Sequence, residues 1–455
     1  MNQNRVWIAQ LSNWLLLGCL GFSLAAGFGS RDLAAAESRL LLTVHGSNTV
    51  GASLMKNMLR AYFVDAGATD IGVKDLPVEN EYQVQALLDG ERVHVNVAAH
   101  GSTTSFEGLL AGVADIGMSS RRIKDKEVEQ LRFLGDMRSA VSEHVIAIDG
   151  LAVIVHKRNR VDHLSLDQVA GIFSGQITDW AQVGGAPGQI ALHARDEKSG
   201  TWDTFKDLVL RGKVTLAGTA ARYESNDLLS DTVASDPQAI GFVGLASVRD
   251  SKALGIFDEG TRPLVPNQLT VATEDYPLSR RLYVYAAAQN PSITQRNFIE
   301  FMQTDAAQQQ ADRTGYISQQ IAAVPASGVR EGPAEYLELT EGLARLSVNF
   351  RFEQGKAELD NKAQRDIQRL SEYLLAPQQQ GRRVELIGFG DAARNENRAL
   401  VLSKLRAVAI LSALRRAGIG NVSIAGFGSH NPVVANSGGD SIKNRRVEVW
   451  VGSAN

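Results

Sequence analysis

The chain holds a single cysteine, Cys19, in 455 residues. That scarcity excludes an intramolecular disulfide, and with it zinc ribbons, iron–sulfur clusters and dithiol redox chemistry. A surplus of either charge is also lacking: 47 Lys and Arg stand against 50 Asp and Glu, a formal net charge of −3. A chain so balanced is not an electrostatic binder of nucleic acid. The longest apolar stretch, Trp14 to Gly29, falls short of the roughly 20 residues needed to span a bilayer. Hydrolase signatures are missing too, with no Gly-x-Ser-x-Gly, no His-Glu-x-x-His and no paired Cys/His ligands. The expectation is a protein that is not an enzyme and needs no cofactor or metal. His45 and His100 flank hydroxyl clusters, but packing or solvent roles are the commoner fate of such histidines. What is present, 44% apolar residues over this length, suits two to four globular units.

Residues 1–36 read as an export signal: Arg5 as the basic region, the Trp14–Gly29 apolar stretch, then Leu33-Ala34-Ala35-Ala36 as a small-residue cleavage site. The alternative is Leu16-Leu17-Gly18-Cys19, which resembles a lipoprotein processing box and would leave Cys19 lipidated. The residues after Cys19 stay apolar where a tether would be polar. Cleavage after Ala36, giving a soluble exported chain, is the favoured reading, with a lipid anchor at Cys19 as its rival.

From Leu40 onward, short apolar strands alternate with helical patterns. Strands are expected at Leu40–Val44, Ile71–Val73, Val93–Ala98, Ile146–Val155, Ile190–Ala194 and Arg281–Tyr285, with a helix at Val50–Val64. This alternation argues for an α/β architecture with mainly parallel pairing. A Pro/Gly-rich passage spanning Val324–Gly328 and Glu331–Pro333 marks a linker, placed at 329–345. Beyond it Val348, Phe350 and Phe352 alternate with Asn349 and Arg351, the period of a half-buried strand. Helices at Asp360–Leu375 and Asn397–Ala417 and strands at Val384–Gly388, Val422–Ala425 and Arg446–Val451 complete a compact α+β sandwich. The apolar stripe of the longer helix is read at Val401, Leu405, Val408 and Leu411.

Three clusters of small hydroxyl residues sit where strands hand over to helices: Gly46-Ser47-Asn48-Thr49, Gly101-Ser102-Thr103-Thr104-Ser105 and Ser199-Gly200-Thr201. Each alone is an ordinary helix cap. Together, converging helix starts with free N–H groups, hydroxyls and close-approach glycines make a site for a small anion. Arg195, four residues before Ser199, could grip two oxygens in a bidentate fork, or form a surface ion pair.

Residues 38–328 resemble the phosphate-binding proteins of bacterial phosphate ABC transporters. The resemblance rests on Gly46–Thr49, Asp115-Ile116-Gly117-Met118-Ser119-Ser120-Arg121, Ile172-Phe173-Ser174-Gly175-Gln176-Ile177-Thr178-Asp179-Trp180, Arg195 with Ser199-Gly200-Thr201, and Ala239–Val243. It implies a two-lobed periplasmic binding protein of type II-like fold, one lobe at about 38–150 and 278–328, the other at about 151–277. The strands crossing near Asp149-Gly150 and Leu278–Leu282 would act as hinges. The implied phosphate ligands are Arg195, Ser199, Gly200 and Thr201 from one lobe, and Ser47, Asn48, Thr49, Ser102, Thr103, Ser120 and Arg121 from the other. In well-studied family members an aspartate stands at the place of Ser120, while many relatives carry the Ser-Arg form found here, so phosphate remains the expected anion. A carboxylate rejects a fully ionised anion such as sulfate, so rejection is expected to be weaker here unless another carboxylate enters the site. An ABC permease is a partner that the resemblance leaves open.

In the C-terminal region Asp391 follows Leu386-Ile387-Gly388-Phe389-Gly390, and Arg406 lies in Leu402-Ser403-Lys404-Leu405-Arg406-Ala407. Opposite charges at that spacing could bind the two ends of a zwitterion, or simply each other. Residues 346–455 resemble the OmpA-like peptidoglycan-binding domain, with Lys443-Asn444-Arg445-Arg446 and Gly426-Phe427-Gly428 with Pro432 as further matches. The resemblance implies that Asp391 and Arg406 hold the diaminopimelate of uncrosslinked peptidoglycan stems. Phe389-Gly390 replace the family's His-Thr, and Ala399 replaces its asparagine.

Overall fold

A computed structural model of the chain describes residues 38–197, 199–289, 291–325, 332–352, 357–390, 395–434 and 443–454. The expected export signal at 1–36, with Cys19, and Asp391 lie outside the described residues. Among those described, no helix is long and apolar enough to cross a membrane.

The strands in chain order are β1 (Arg39–Gly46), β2 (Thr69–Asp75), β3 (Glu81–Leu88), β4 (Glu91–Ala99), β5 (Ile116–Ser119), β6 (Glu143–Val155), β7 (His163–Ser165), β8 (Ala191–Arg195), β9 (Ala221–Tyr223), β10 (Ala239–Gly244), β11 (Lys252–Ala253), β12 (Gly255–Phe257), β13 (Ser279–Ala286), β14 (Ala323–Pro325), β15 (Ala344–Arg351), β16 (Arg382–Gly388), β17 (Val422–Gly426) and β18 (Arg446–Ala454). A continuous sheet runs β2-β3-β4-β1-β5-β13-β6-β10-β8-β9. Its two ends are the lobes, and β6 and β13 pass between them. β6 pairs β13 over Glu143–Gly150 and β10 over Leu151–Val155, so the handover falls at Gly150/Leu151. All thirteen residues of β6 are buried, as a strand covered on both faces requires.

The pairing differs from the expected mainly parallel sheet. β1 is parallel to β4 and β5, and β8 to β9 and β10. The β2-β3-β4 meander and the joints β5-β13, β13-β6 and β6-β10 are antiparallel. Short turns at the edge, and strands that return between lobes without a crossover helix, make antiparallel joints there.

Each lobe has its own core. Val44, Leu54, Met58, Phe63 and Phe298 pack in the first. In the second, Phe205 stacks on Phe242 at 3.9 Å, with Phe173 edge-on to both. Helix starts are capped as their sequences dictate: Ser165 accepts from Gln168 N–H, and Asp179 from Ala181 N–H. Gly46 is demanded by its turn, with φ +140° and a position where a Cβ would lie 2.0 Å from Met118 O.

The C-terminal sheet runs β14-β15-β18-β16-β17, with the helices Asn361–Leu375 and Glu396–Arg416 packed around Phe350, Leu370, Ile410, Leu414 and Val449. Three readings change here. The stretch 329–345 contains the helix Ala334–Leu339 and the first residues of β15, while β14, ahead of it in the chain, pairs with β15 and forms the edge of the C-terminal sheet. β15 is buried on both faces, because Arg345, Asn349 and Arg351 pack against residues 273–275 of the first domain. In the long helix, Ala399, Ser403, Arg406, Ala407, Ile410 and Leu414 face the core, whereas Val401, Leu405 and Val408 are exposed. Leu411, the fourth residue of the expected stripe, packs partly buried against the core; the other three lie outside because small residues and a buried arginine occupy much of the inner face.

Candidate functional site

The helical run beginning Asn48–Val50 and the helix Gly200–Phe205 meet across the lobes. Around their junction a cavity of about 630 Å³ is lined by Asn48, Thr49, Arg195, Ser199, Gly200, Thr201 and Tyr316. Ser199 caps its helix, its Oγ accepting from the N–H groups of Thr201 and Trp202. Arg195, at the end of β8, is 8% exposed. Its Nε donates to Tyr223 O at 3.1 Å, Nη2 to Glu224 O at 2.6 Å and Nη1 to Thr201 Oγ1 at 3.4 Å. Burial lowers its pKa, against the raising fields of Asp196, Tyr316 and Glu224. A buried guanidinium whose described hydrogen bonds go to neutral oxygens favours an anionic ligand. Tyr316 hydroxyl donates to Thr49 O at 2.7 Å and fixes that turn.

Ser102, Thr103, Ser120 and Arg121 line a second, larger cavity of about 910 Å³, together with Asp203, Lys206, Pro277 and Lys443. Ser120 N–H donates to Ser102 Oγ at 3.0 Å, and the two hydroxyls lie 3.1 Å apart. Arg121 is bidentate to Glu127 at 2.6 and 2.8 Å and lies over the Phe106 ring, so its charge is taken up locally. Asp203 brings a carboxylate to this wall; burial raises its pKa, opposed by Lys206 and Arg280. Ser47 lies buried under the β1 turn, its N–H bonded to Met118 O at 2.9 Å. The expected site residues therefore fall into two groups around the lobe contact. His100 pairs with Glu81 at 3.0 Å; His45 has its pKa lowered, chiefly by burial.

Between the groups stands Arg280 of β13, a residue that sequence reasoning missed. Its Nη2 donates to Thr49 Oγ1 at 3.0 Å and to Gly200 O at 2.8 Å, and its Nε to Asp149 Oδ2 on β6 at 3.2 Å. One guanidinium thus touches the first lobe, the second lobe and the neighbouring strand β6. No motif announces it; the only signal is a double arginine opening a strand.

In the C-terminal domain Arg406 is fully buried. Its Nη1 donates to Phe389 O at 3.2 Å, and its guanidinium lies 5.6 Å from the Phe352 ring centre. Gly390, the residue before Asp391, is placed so that a Cβ there would stand 3.6 Å from Arg406 Nη1. Asn444 fastens the facing turn, accepting from the N–H groups of Val433 and Val434 and donating to Val434 O. Arg446 bonds Glu448 at 2.8 Å and stacks over Phe389 at 4.0 Å, so part of the Asn-Arg-Arg signature serves the domain's own packing.

Residues 81–306 match the PBP superfamily domain model, and residues 351–446 match the OmpA family model. The chain joins a PBP-superfamily domain to an OmpA-family domain. The PBP-superfamily part is 27% identical over 250 residues to the phosphate-binding protein PstS of Borreliella burgdorferi, covering 53% of this chain and 85% of that protein. Among solved structures, an ABC-type phosphate transport receptor from Vibrio cholerae shares 28% identity, with a TM-score of 0.47, over 61% of this chain and 99% of that one. The OmpA-family part is similar to the peptidoglycan-associated lipoprotein of Burkholderia pseudomallei, at 24% identity and a TM-score of 0.21, over 23% of this chain and 88% of that one.

Proposed function

We propose that this chain is an envelope protein that binds phosphate or a similar oxyanion between its lobes and holds to peptidoglycan through its OmpA-family domain. The observation that carries the first half is Arg195: buried, bonded to carbonyl and hydroxyl oxygens, and set beside the start of the helix Gly200–Phe205. A relative covering most of its own length is named a phosphate-binding protein. Capture needs no bond to break; closure expels water and aligns N–H and hydroxyl donors on the oxygens. Thr49, Ser199, Gly200 and Thr201 supply donors beside Arg195, and Ser102 and Ser120 approach from the other cavity.

The second half rests on the OmpA family match and on Arg406, with Asp391 as its proposed counter-charge. Calorimetry of the full chain with phosphate and with sulfate tests the first half: binding at micromolar concentrations supports it, and no binding of either anion removes it. Co-sedimentation with isolated sacculi tests the second. Asp391→Ala and Arg406→Lys should each stay in the supernatant while keeping the anion affinity. Pelleting of both variants like the parent chain would dispose of the wall-binding assignment.

A further inference from the structure

Arg280 and Arg281 are consecutive on β13, so their side chains leave opposite faces of the strand. Arg280 reaches Thr49, Gly200 and Asp149 at the lobe junction. Arg281 reaches the other way: its Nε donates to Glu274 at 3.0 Å, and its Nη1 donates to Asp360 Oδ2 at 2.8 Å. Asp360 belongs to the OmpA-family domain, where its Oδ1 caps the helix Asn361–Leu375 by accepting from Ala363 N–H at 2.7 Å.

The chain leading into β13 is gripped by the same domain. Asp275 accepts from Arg345 at 2.6 Å, Arg351 at 2.8 Å and Asn349 at 2.9 Å. Lys443 Nζ donates to the carbonyls of Tyr276 and Pro277 at 2.8 and 3.1 Å. The second connecting strand is held as well, with Arg365 donating to His144 Nδ1 on β6 at 2.9 Å. Asp275, Arg345, Arg351 and His144 are each less than a tenth exposed. Buried charge pairs of this kind resist separation, because pulling one partner away strands the other without solvent. The lobes therefore cannot turn about β6 and β13 without loading these contacts.

We propose that the OmpA-family domain is a working part of the hinge, so that closure on the anion and engagement of the wall by that domain are thermodynamically linked through β13. This rests on the proposed two-ligand function, and linkage makes the effect reciprocal. The strand is the shared element: Arg280 reports the lobe junction, and Arg281 with the 273–277 segment reports the docked domain.

The test uses the full chain and the variant Asp360→Asn, which keeps a good helix cap but removes the charge facing Arg281. Asp275→Asn is the second variant. Amide hydrogen exchange over 279–286 should quicken at least tenfold in both variants, with peptides from the core of each domain unchanged. In the parent chain, phosphate should protect 344–351 and 360–366 together with the cleft, and Asp360→Asn should shift the phosphate dissociation constant threefold or more. Unchanged exchange over 279–286 in both variants overturns the proposal. So does phosphate protection confined to the cleft with an affinity unaltered by Asp360→Asn. If the parent chain binds no phosphate, the oxyanion reading fails by itself, and the exchange of β13 in the two variants still decides whether the docked domain stiffens the hinge.

Discussion

Gly200 of the second lobe lies directly on Thr49 of the first: a Cβ at residue 200 would stand 1.6 Å from Thr49 Oγ1 and 2.6 Å from Thr49 Cβ. Glycine is needed there for the approach and not for its backbone angle. Gly200→Ala should therefore hold the lobes apart, and the clash is relieved by opening rather than by unfolding. The expected result is a phosphate affinity at least tenfold weaker, about 1.4 kcal/mol, a larger radius of gyration by small-angle scattering, and a melting temperature close to that of the parent. Gly218→Ala, at a position with nothing within 4 Å of the added carbon, is the control and should change none of these.

Much of this arrangement was legible in the sequence where one physical signal dominates. The apolar run at Ile146–Val155 is a strand because it is buried on both faces, and the hydroxyl clusters do sit at helix starts. β3 was overlooked although Tyr82, Val84 and Ala86 are buried between the half-buried Glu81, Gln83 and Gln85; the period is there, with too little aliphatic weight to stand out. The outer face of β15 read as solvent because Asn349 and Arg351 are polar, and only a second domain presenting Asp275 could bury them. Arg280 carries no local pattern, since its role depends on three elements far apart in the chain.

Anion selectivity is the next test. A serine at 120 removes the carboxylate that the family resemblance implies, yet the wall shared with Ser102 and Ser120 also carries Asp203. A carboxylate there accepts a hydrogen bond from protonated phosphate and repels sulfate, which has no proton to give. Asp203→Asn should raise sulfate affinity relative to phosphate by about tenfold, about 1.4 kcal/mol, read by competition calorimetry at pH 7. An unchanged ratio would show that Asp203 does not face the bound anion.

The interface between the domains should also weaken in mild acid through His144. Burial, aided by the field of Arg365 and opposed by a hydrogen bond to Val141 O, pushes its pKa down to about 4. Arg365 donates to Nδ1, so Nε2 bears the proton and gives it to Val141 O at 3.1 Å. A charged imidazole would instead face Arg365. Asn361 and Glu143 lie alongside, with Glu143 already paired to Arg122, and Arg369 follows Arg365 by one helical turn. Because the folded value lies below the unfolded one near 6.5, the stabilisation is whole above about pH 6.5 and is lost as pH falls toward about 4, to a limit of about 3 kcal/mol. Asp275 behaves differently: burial would raise its pKa, but Arg345, Arg351 and Arg446 together hold it below the usual carboxylate range. Its contribution is present above the unfolded value near 3.9 and fades only in stronger acid. Thermal unfolding measured from pH 7.5 to 4.5 should show a falling melting temperature in the parent chain, and His144→Gln should flatten that slope. Parallel curves for the two proteins would mean that His144 is not the group being titrated.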